Sequence, residues 1–326
     1  MTEVDLLEPK SELDKLILAG FPRLLRGEQA SLAAFIREIK VDVPIGGTNC
    51  VCHFYFIDLD GNGRPRVKDL AAEIVLYVME YAIPRSAIEK AYKYRNEHKS
   101  SREVLRLQKE AKSLFVNMET SGEGGEFLLF LFAESYLKLP QILCKMALKT
   151  NTNVHFHGAD GVYAGIDENT GGLAIYWGES KLHSRANKAI SECFKSLAPF
   201  LLDDGGTGSV ASRDLQLLNS QLDLASPHLE TALKAYLDKS DPLFKKLQFR
   251  GIALAGFDQN EYPEEPNQIN SEELKGKLEK EHKKWLKKIK SEQENNKIAS
   301  FHIHVFCVPF PSVQKFRSYI LEELGK

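Results

Sequence analysis

Apolar and polar positions divide the chain into alternating elements. Residues 50–57 (CVCHFYFI), 247–257 (LQFRGIALAGF) and 298–310 (IASFHIHVFCVPF) are short apolar runs that predict strands. Residues 68–82 carry helical periodicity that Pro84 ends, Ser86 is placed to cap a further helix over 87–94, and 101–116 is a charged helix. Residues 126–139 (EFLLFLFAESYLKL) are apolar almost all round, which predicts a buried helix ended by Pro140. Helices follow over 184–200, in two pieces between about 212 and 238, over 271–292 and over 312–324, while residues 10–40 read as mixed and partly helical. Strands alternating with helices after residue 125 predict a mixed α/β sheet with helices on its faces. The glycine cluster at 121–125 suggests a boundary, with an N-terminal region over 1–120 and a second unit over 121–326.

The stretch GADGVYAGIDENTGGLAIYWGESK, residues 158–181, places the turn signature DENTGG between two strand patterns and predicts a β-hairpin. With Ile166 facing Leu173, Val162 faces Trp177 and Asp160 faces Glu179. Opposed residues share a sheet face, roughly 4.5–5.5 Å apart at Cβ, and Lys181 joins them two residues on. Two adjacent carboxylates repel, so one tends to keep a proton, and a divalent cation relieves that. Mg²⁺ takes one or two carboxylates plus water and phosphate oxygens. A lysine beside it can orient or deprotonate water, or stabilise charge on a phosphate. The bland alternative is a solvated strand end, since Glu-x-Lys is short and common. The matching Asp160, the apolar strand between and Glu126 at the start of the preceding helix favour a site.

The composition, 43% hydrophobic and 27% charged over 326 residues, is that of an ordinary globular chain. No window approaches eighteen apolar residues, and the N-terminus lacks the pattern of a secretory signal. Five cysteines without a framework suggest a reduced, cytoplasmic protein. The formal net charge of −2 gives no global pull toward nucleic acid, so any such affinity must come from a local patch or a partner.

Asp160, then Glu179-Ser180-Lys181 after eighteen intervening residues, resembles the PD-(D/E)xK nuclease superfamily. The strings GGEFLLFLFAESYLKLP, KMALKTN, HGADGVY and LAIYWGESKLH, within residues 122–200, resemble the HamA family of nuclease subunits from Hachiman anti-phage systems. The resemblance implies a restriction-endonuclease-like mixed sheet flanked by helices, with an α/β N-terminal region. It implies Asp160, Glu179 and Lys181 as catalytic residues, with Asp160, Glu179, Ser180 and Glu126 around Mg²⁺ or Mn²⁺. The motif's proline is replaced by Ala159. Implied partners are DNA and the helicase HamB of the same system, with no membrane. The alternatives are a non-catalytic DNA- or partner-binding subunit and an RNA-directed nuclease.

Lys145, Lys149, His157 and His183 are candidate nucleic-acid contacts, and His155 also lies close to the motif. Glu134, about 80° round the helix from Glu126, is expected to pair with Lys145 or Lys149 instead of reaching the site. Residues 58–69 (DLDGNGRPRVKD) approach a calcium loop, but the preceding strand and Pro65 favour a plain turn. Cys50, Cys52 and His53 lack a fourth zinc ligand. Residues 275–290 hold eight lysines against two glutamates, either a solvated helix face or a surface for phosphates or a partner.

Overall fold

The computed structural model describes residues 12–26, 32–115, 122–147, 158–167, 171–203 and 209–326. Six strands form one mixed sheet: β1 (Ile36–Pro44), β2 (Cys50–Ile57), β3 (Gly161–Ile166), β4 (Leu173–His183), β5 (Gln248–Asp258) and β6 (Ile303–Phe310). Their order across the sheet is β1-β2-β6-β5-β4-β3. The central four run parallel, and antiparallel β1 and β3 form the edges. Residues on both sides of position 120 therefore share one sheet, because β2 pairs with β6, and one continuous core runs beneath them. The strands of the parallel centre are nearly all buried, as expected where helices cover both faces.

On one face lie α7 (Ala186–Leu201) and α10 (Ser271–Asn295). Trp177 stacks toward Phe200 of α7, and Trp285 of α10 packs on Phe54 and Phe257. On the other face lies α6 (Glu123–Ser135), whose Phe132 meets Tyr55 and Phe306. Beside it, α11 (Val313–Leu324) brings Phe316 onto Phe310 and packs on α2 (Val67–Leu76). The helix α1 (Glu12–Leu24) lies against edge strand β3. The remaining helices are α3 (Val78–Ala82), α4 (Arg85–His98), α5 (Arg102–Ser113), α8 (Val210–Gln221) and α9 (Pro227–Leu237).

Several local expectations change. The helix predicted over 68–82 breaks at Tyr77 into α2 and α3. Ser86 does not cap α4, which begins after Pro84; its amide and hydroxyl both donate to Asp223. The last strand begins at Ile303, not 298. The calcium-like loop is a turn in which Asp60 Oδ1 accepts the amides of Asn62 and Arg64 and Gly63 has φ +73°. Cys50 and Cys52 are free thiols on one face, whereas the His53 ring turns to the other and meets His304.

That last contact extends into a chain of imidazoles. His53 Nε2 is 3.0 Å from His304 Nδ1, and His304 Nε2 is 3.0 Å from His302 Nε2. Burial holds His53 down to about 4, against the opposing pull of Asp42. Burial, reinforced by His302, His53 and Arg250, holds His304 to about 3. An unfolded histidine titrates near 6.5. Below that pH the unfolded chain takes up protons that the fold refuses, so stability falls as pH drops from about 6.5 toward 4. The expected slope is about 1.4 kcal/mol per pH unit for each group. Melting temperatures from pH 7 to 4.5 check this: His304→Phe should flatten the profile, and an equally steep profile in that variant contradicts it.

Candidate active site

The predicted hairpin forms between β3 and β4, and residues 168–170 of its turn lie outside the described residues. The Asp167 amide donates to Gly172 O and the Gly171 amide to Asp167 O, while Gly171 takes φ +67°. Val162 pairs with Trp177, and the regular ladder ends at Gly161 with Gly178. Beyond it, the Asp160 amide donates to Gly178 O, and Asp160 faces the open edge of β4.

Strand alternation sends Glu179 and Lys181 to the face covered by α7, and Ser180 to the face covered by α6. The register sets Glu179 beside Ala253 and Lys181 beside Ala255 of β5. These small neighbours leave room for two long charged side chains in a closely packed layer. Cys193 of α7 closes the floor, its thiol 3.3 Å from Leu254 O and 3.9 Å from Glu179 O.

Asp160 Oδ2 accepts both the Ser180 amide, at 2.8 Å, and the Ser180 hydroxyl, at 2.9 Å. Lys181 Nζ lies 3.0 Å from Glu179 Oε2 and 3.8 Å from Asp160 Oδ2. One ammonium thus bridges two carboxylates. Glu179 is 3% exposed. Burial, then the neighbouring Asp160 charge, push its carboxyl up to about 8 despite Lys181 and Lys145 nearby. Burial works against the Lys181 charge, but Asp160 and Glu179 outweigh it and raise the pKa. With both carboxylates ionised the cluster would carry more negative charge than one lysine neutralises, and burial together with that repulsion is what keeps a proton on Glu179.

A divalent cation suits that imbalance. Neither Asp160 Oδ1 nor Glu179 Oε1 takes part in the bonds above, so each carboxylate has one oxygen outside them. Hard carboxylate oxygens fit Mg²⁺ or Mn²⁺. Among the described residues, no three His, Cys, Asp or Glu groups converge on a common metal position. Two carboxylates would be the protein's share, with water and substrate oxygens making up the rest.

The other sequence candidates fall in different places. Ser180 donates to Asp160 through both amide and hydroxyl, so it holds that carboxylate in position. Glu126 lies on the Ser180 side of the sheet, where Tyr81 donates to it at 3.2 Å. There α6 runs so close to β4 that a Cβ added at Gly125 would stand 3.1 Å from Ser180 Oγ. His183 is 2.5 Å from Glu192 on α7. Lys149, His155 and His157 lie outside the described residues.

Lys145 is corrected on both counts. It is not a surface contact for nucleic acid: it is buried and 2.6 Å from Asp214 on α8. Nor is it the partner of Glu134, which accepts the amides of Arg26 and Gln141 and lies 3.6 and 3.7 Å from the Arg26 and Arg85 guanidinium groups. Asp214 carries no mark in the sequence, since it sits 69 residues from Lys145 in an unremarkable helix.

Among known proteins, the family model HamA matches residues 33–324. No curated protein matches the chain. No helix among the described residues is long and apolar enough to cross a membrane.

Proposed function

Because the chain belongs to the HamA family, of the Hachiman defence system, we propose that it is a metal-dependent DNA nuclease and acts beside the helicase HamB. The observation that carries this reading is the Asp160, Glu179 and Lys181 cluster at the open end of the hairpin. A bound Mg²⁺ or Mn²⁺ would polarise a phosphodiester oxygen and lower the pKa of its water. Asp160 and Glu179 would hold it, Ser180 would orient Asp160, and Lys181 would steady charge developing on the phosphate. The Lys181 ammonium is already poised between both carboxylates, so it needs little reorganisation to meet a phosphate oxygen.

The test is a cleavage assay on supercoiled and linear DNA, with RNA alongside, in Mg²⁺ or Mn²⁺ and with or without the helicase. Metal-dependent DNA cutting supports the reading. Preferential RNA cutting replaces the substrate. No cutting under any condition, together with metal binding, points to a non-catalytic subunit.

Substrate binding beyond the site is expected from α10. Lys280, Lys283 and Lys287 lie on one exposed stripe of that helix, opposite buried Leu278, Trp285 and Ile289. The helix is tied to the site's side of the fold, since Glu292 accepts from Ser191 of α7 and the next residue, Glu192, meets His183. Converting the three lysines to glutamate should weaken DNA binding and flatten the slope of log K against log[salt] by about 0.9 for each phosphate no longer neutralised. Binding isotherms across a series of salt concentrations check it, and an unchanged slope assigns the stripe to solvent or to a protein partner.

A further inference from the structure

Asp160 makes a backbone hydrogen bond to β4 just beyond the regular hairpin ladder. The last ladder pair is Gly161 with Gly178, so residues 158–160 lie beyond it in bends. Asp160 itself is tied to β4 through Gly178 O and Ser180, and the chain leading into it, residues 158 and 159, needs its own anchor if the carboxylate is to stay beside Glu179 and Lys181. The buried ion pair between Lys145 and Asp214 reaches this segment directly. Lys145 Nζ donates to Ala159 O at 2.6 Å, and the Ala159 amide donates to Asp214 Oδ2 at 3.1 Å. Both polar groups of the residue preceding Asp160 are therefore held by one pair of opposite charges, itself 2.6 Å apart. The fit is close: a Cβ at Gly158 would stand 2.4 Å from Lys145 Nζ and 2.5 Å from Asp214 Oδ1. The two side chains are 9% and 2% exposed.

Stability alone is a weak reason to bury such a pair. Two charges removed from water gain little over a well-packed apolar pair, and apolar replacements are often neutral or stabilising. What an apolar pair cannot do is accept the Ala159 amide and donate to its carbonyl at once. We propose that Lys145 and Asp214 are positioning residues for Asp160, setting the backbone so that its carboxylate is presented to the metal. The inference rests on the reading of Asp160 as a metal ligand. Lys145 comes from the segment that follows α6 and Asp214 from α8, so the pair also makes the site's geometry depend on where α8 docks.

The experiment compares the full-length wild type with Lys145→Met, Asp214→Asn, Asp160→Asn and the double variant Lys145→Met/Asp214→Leu. Either of the first two leaves one charge buried alone and can fail to fold, so the apolar double variant decides. It removes one charge of each sign and keeps the local net charge. Two readouts are taken: Mn²⁺ binding by calorimetry, and hydrogen exchange of the peptide spanning 158–161 against the β5 and β6 strands. The expected result is a double variant that stays folded but melts below the wild type, because both Ala159 backbone groups lose their partners, exchanges faster at 158–161 only, and binds Mn²⁺ about 10–100-fold more weakly. Unchanged exchange at 158–161, or faster exchange with unchanged Mn²⁺ affinity, overturns the proposal. If the wild type binds no Mn²⁺, or Asp160→Asn leaves its affinity intact, the metal reading of Asp160 fails, and the exchange readout still decides whether the pair holds this segment.

Discussion

Glu179→Ala and Lys181→Ala should each lower metal-dependent DNA cleavage by at least about 10³-fold, and for different reasons. Glu179 supplies one of two carboxylates, so its loss should weaken Mn²⁺ binding along with turnover. Lys181 is a positive charge 3.0 Å from one candidate ligand and 3.8 Å from the other. Removing it leaves a more negative pocket, and Mn²⁺ should bind at least as tightly while turnover is lost. Calorimetry and single-turnover cleavage on the same preparations separate the two effects. A Lys181→Ala protein with wild-type turnover would remove the lysine from the mechanism. Stability gives an independent check of sign. The Glu179 carboxyl titrates near 8 in the fold, because burial and Asp160 disfavour its charge. The unfolded chain releases that proton near 4.3, so the metal-free fold loses stability as pH rises through this interval. Glu179→Gln has no such proton to release and should melt above the wild type at pH 9 without metal.

The second large effect concerns Glu134. It is fully buried between Arg26 and Arg85 and accepts two backbone amides. Burial lowers the Arg85 pKa to about 9, and Arg26 adds to this while Glu134 opposes it. Glu134→Leu leaves Arg85 charged and buried without its carboxylate and orphans the Gln141 amide. The expected loss is about 3–5 kcal/mol, measured by urea denaturation. Glu134→Gln keeps an acceptor for one of the two amides and should lose less. A loss below about 1 kcal/mol for Glu134→Leu would mean that Arg26 and Arg85 find water when the carboxylate goes.

How much of the fold and the site is legible in the sequence depends on the range of the interactions. The hairpin register follows from a short turn and strict alternation, both local, and Val162 meets Trp177 as the turn predicts. The apolar run of α6 and the packed face of α7 are equally local signals. Strand β1 is not legible because its alternation is interrupted. The register shifts between Glu38 and Lys40 and again between Lys40 and Val43, with Asp42 at φ +52°. Ile36 and Ile39 both point inward, a spacing of three that imitates a helix. The Lys145–Asp214 pair is illegible for another reason: Glu134 is the nearer carboxylate in sequence, and only the docking of α8 shows that Asp214 wins. The position of β2 beside β6, instead of in a sheet of its own, is likewise a tertiary fact with no local mark.

The strand order carries a consequence for synthesis. The hairpin that holds Asp160 and Glu179 is contiguous in sequence and can close soon after it leaves the ribosome. Strand β2 cannot finish, because its inner neighbour, β6, begins only at Ile303. At typical rates of roughly 5–20 residues per second, the inner edge of β2, with Phe54 and Phe56, waits about 10–50 s for its partner. During that interval a nascent chain displays an unpaired apolar strand, the kind of surface that chaperones cover and that other nascent chains can add to. The charged cluster thus belongs to the part of the chain that assembles locally, while the sheet that buries it is sealed only when the last strand arrives.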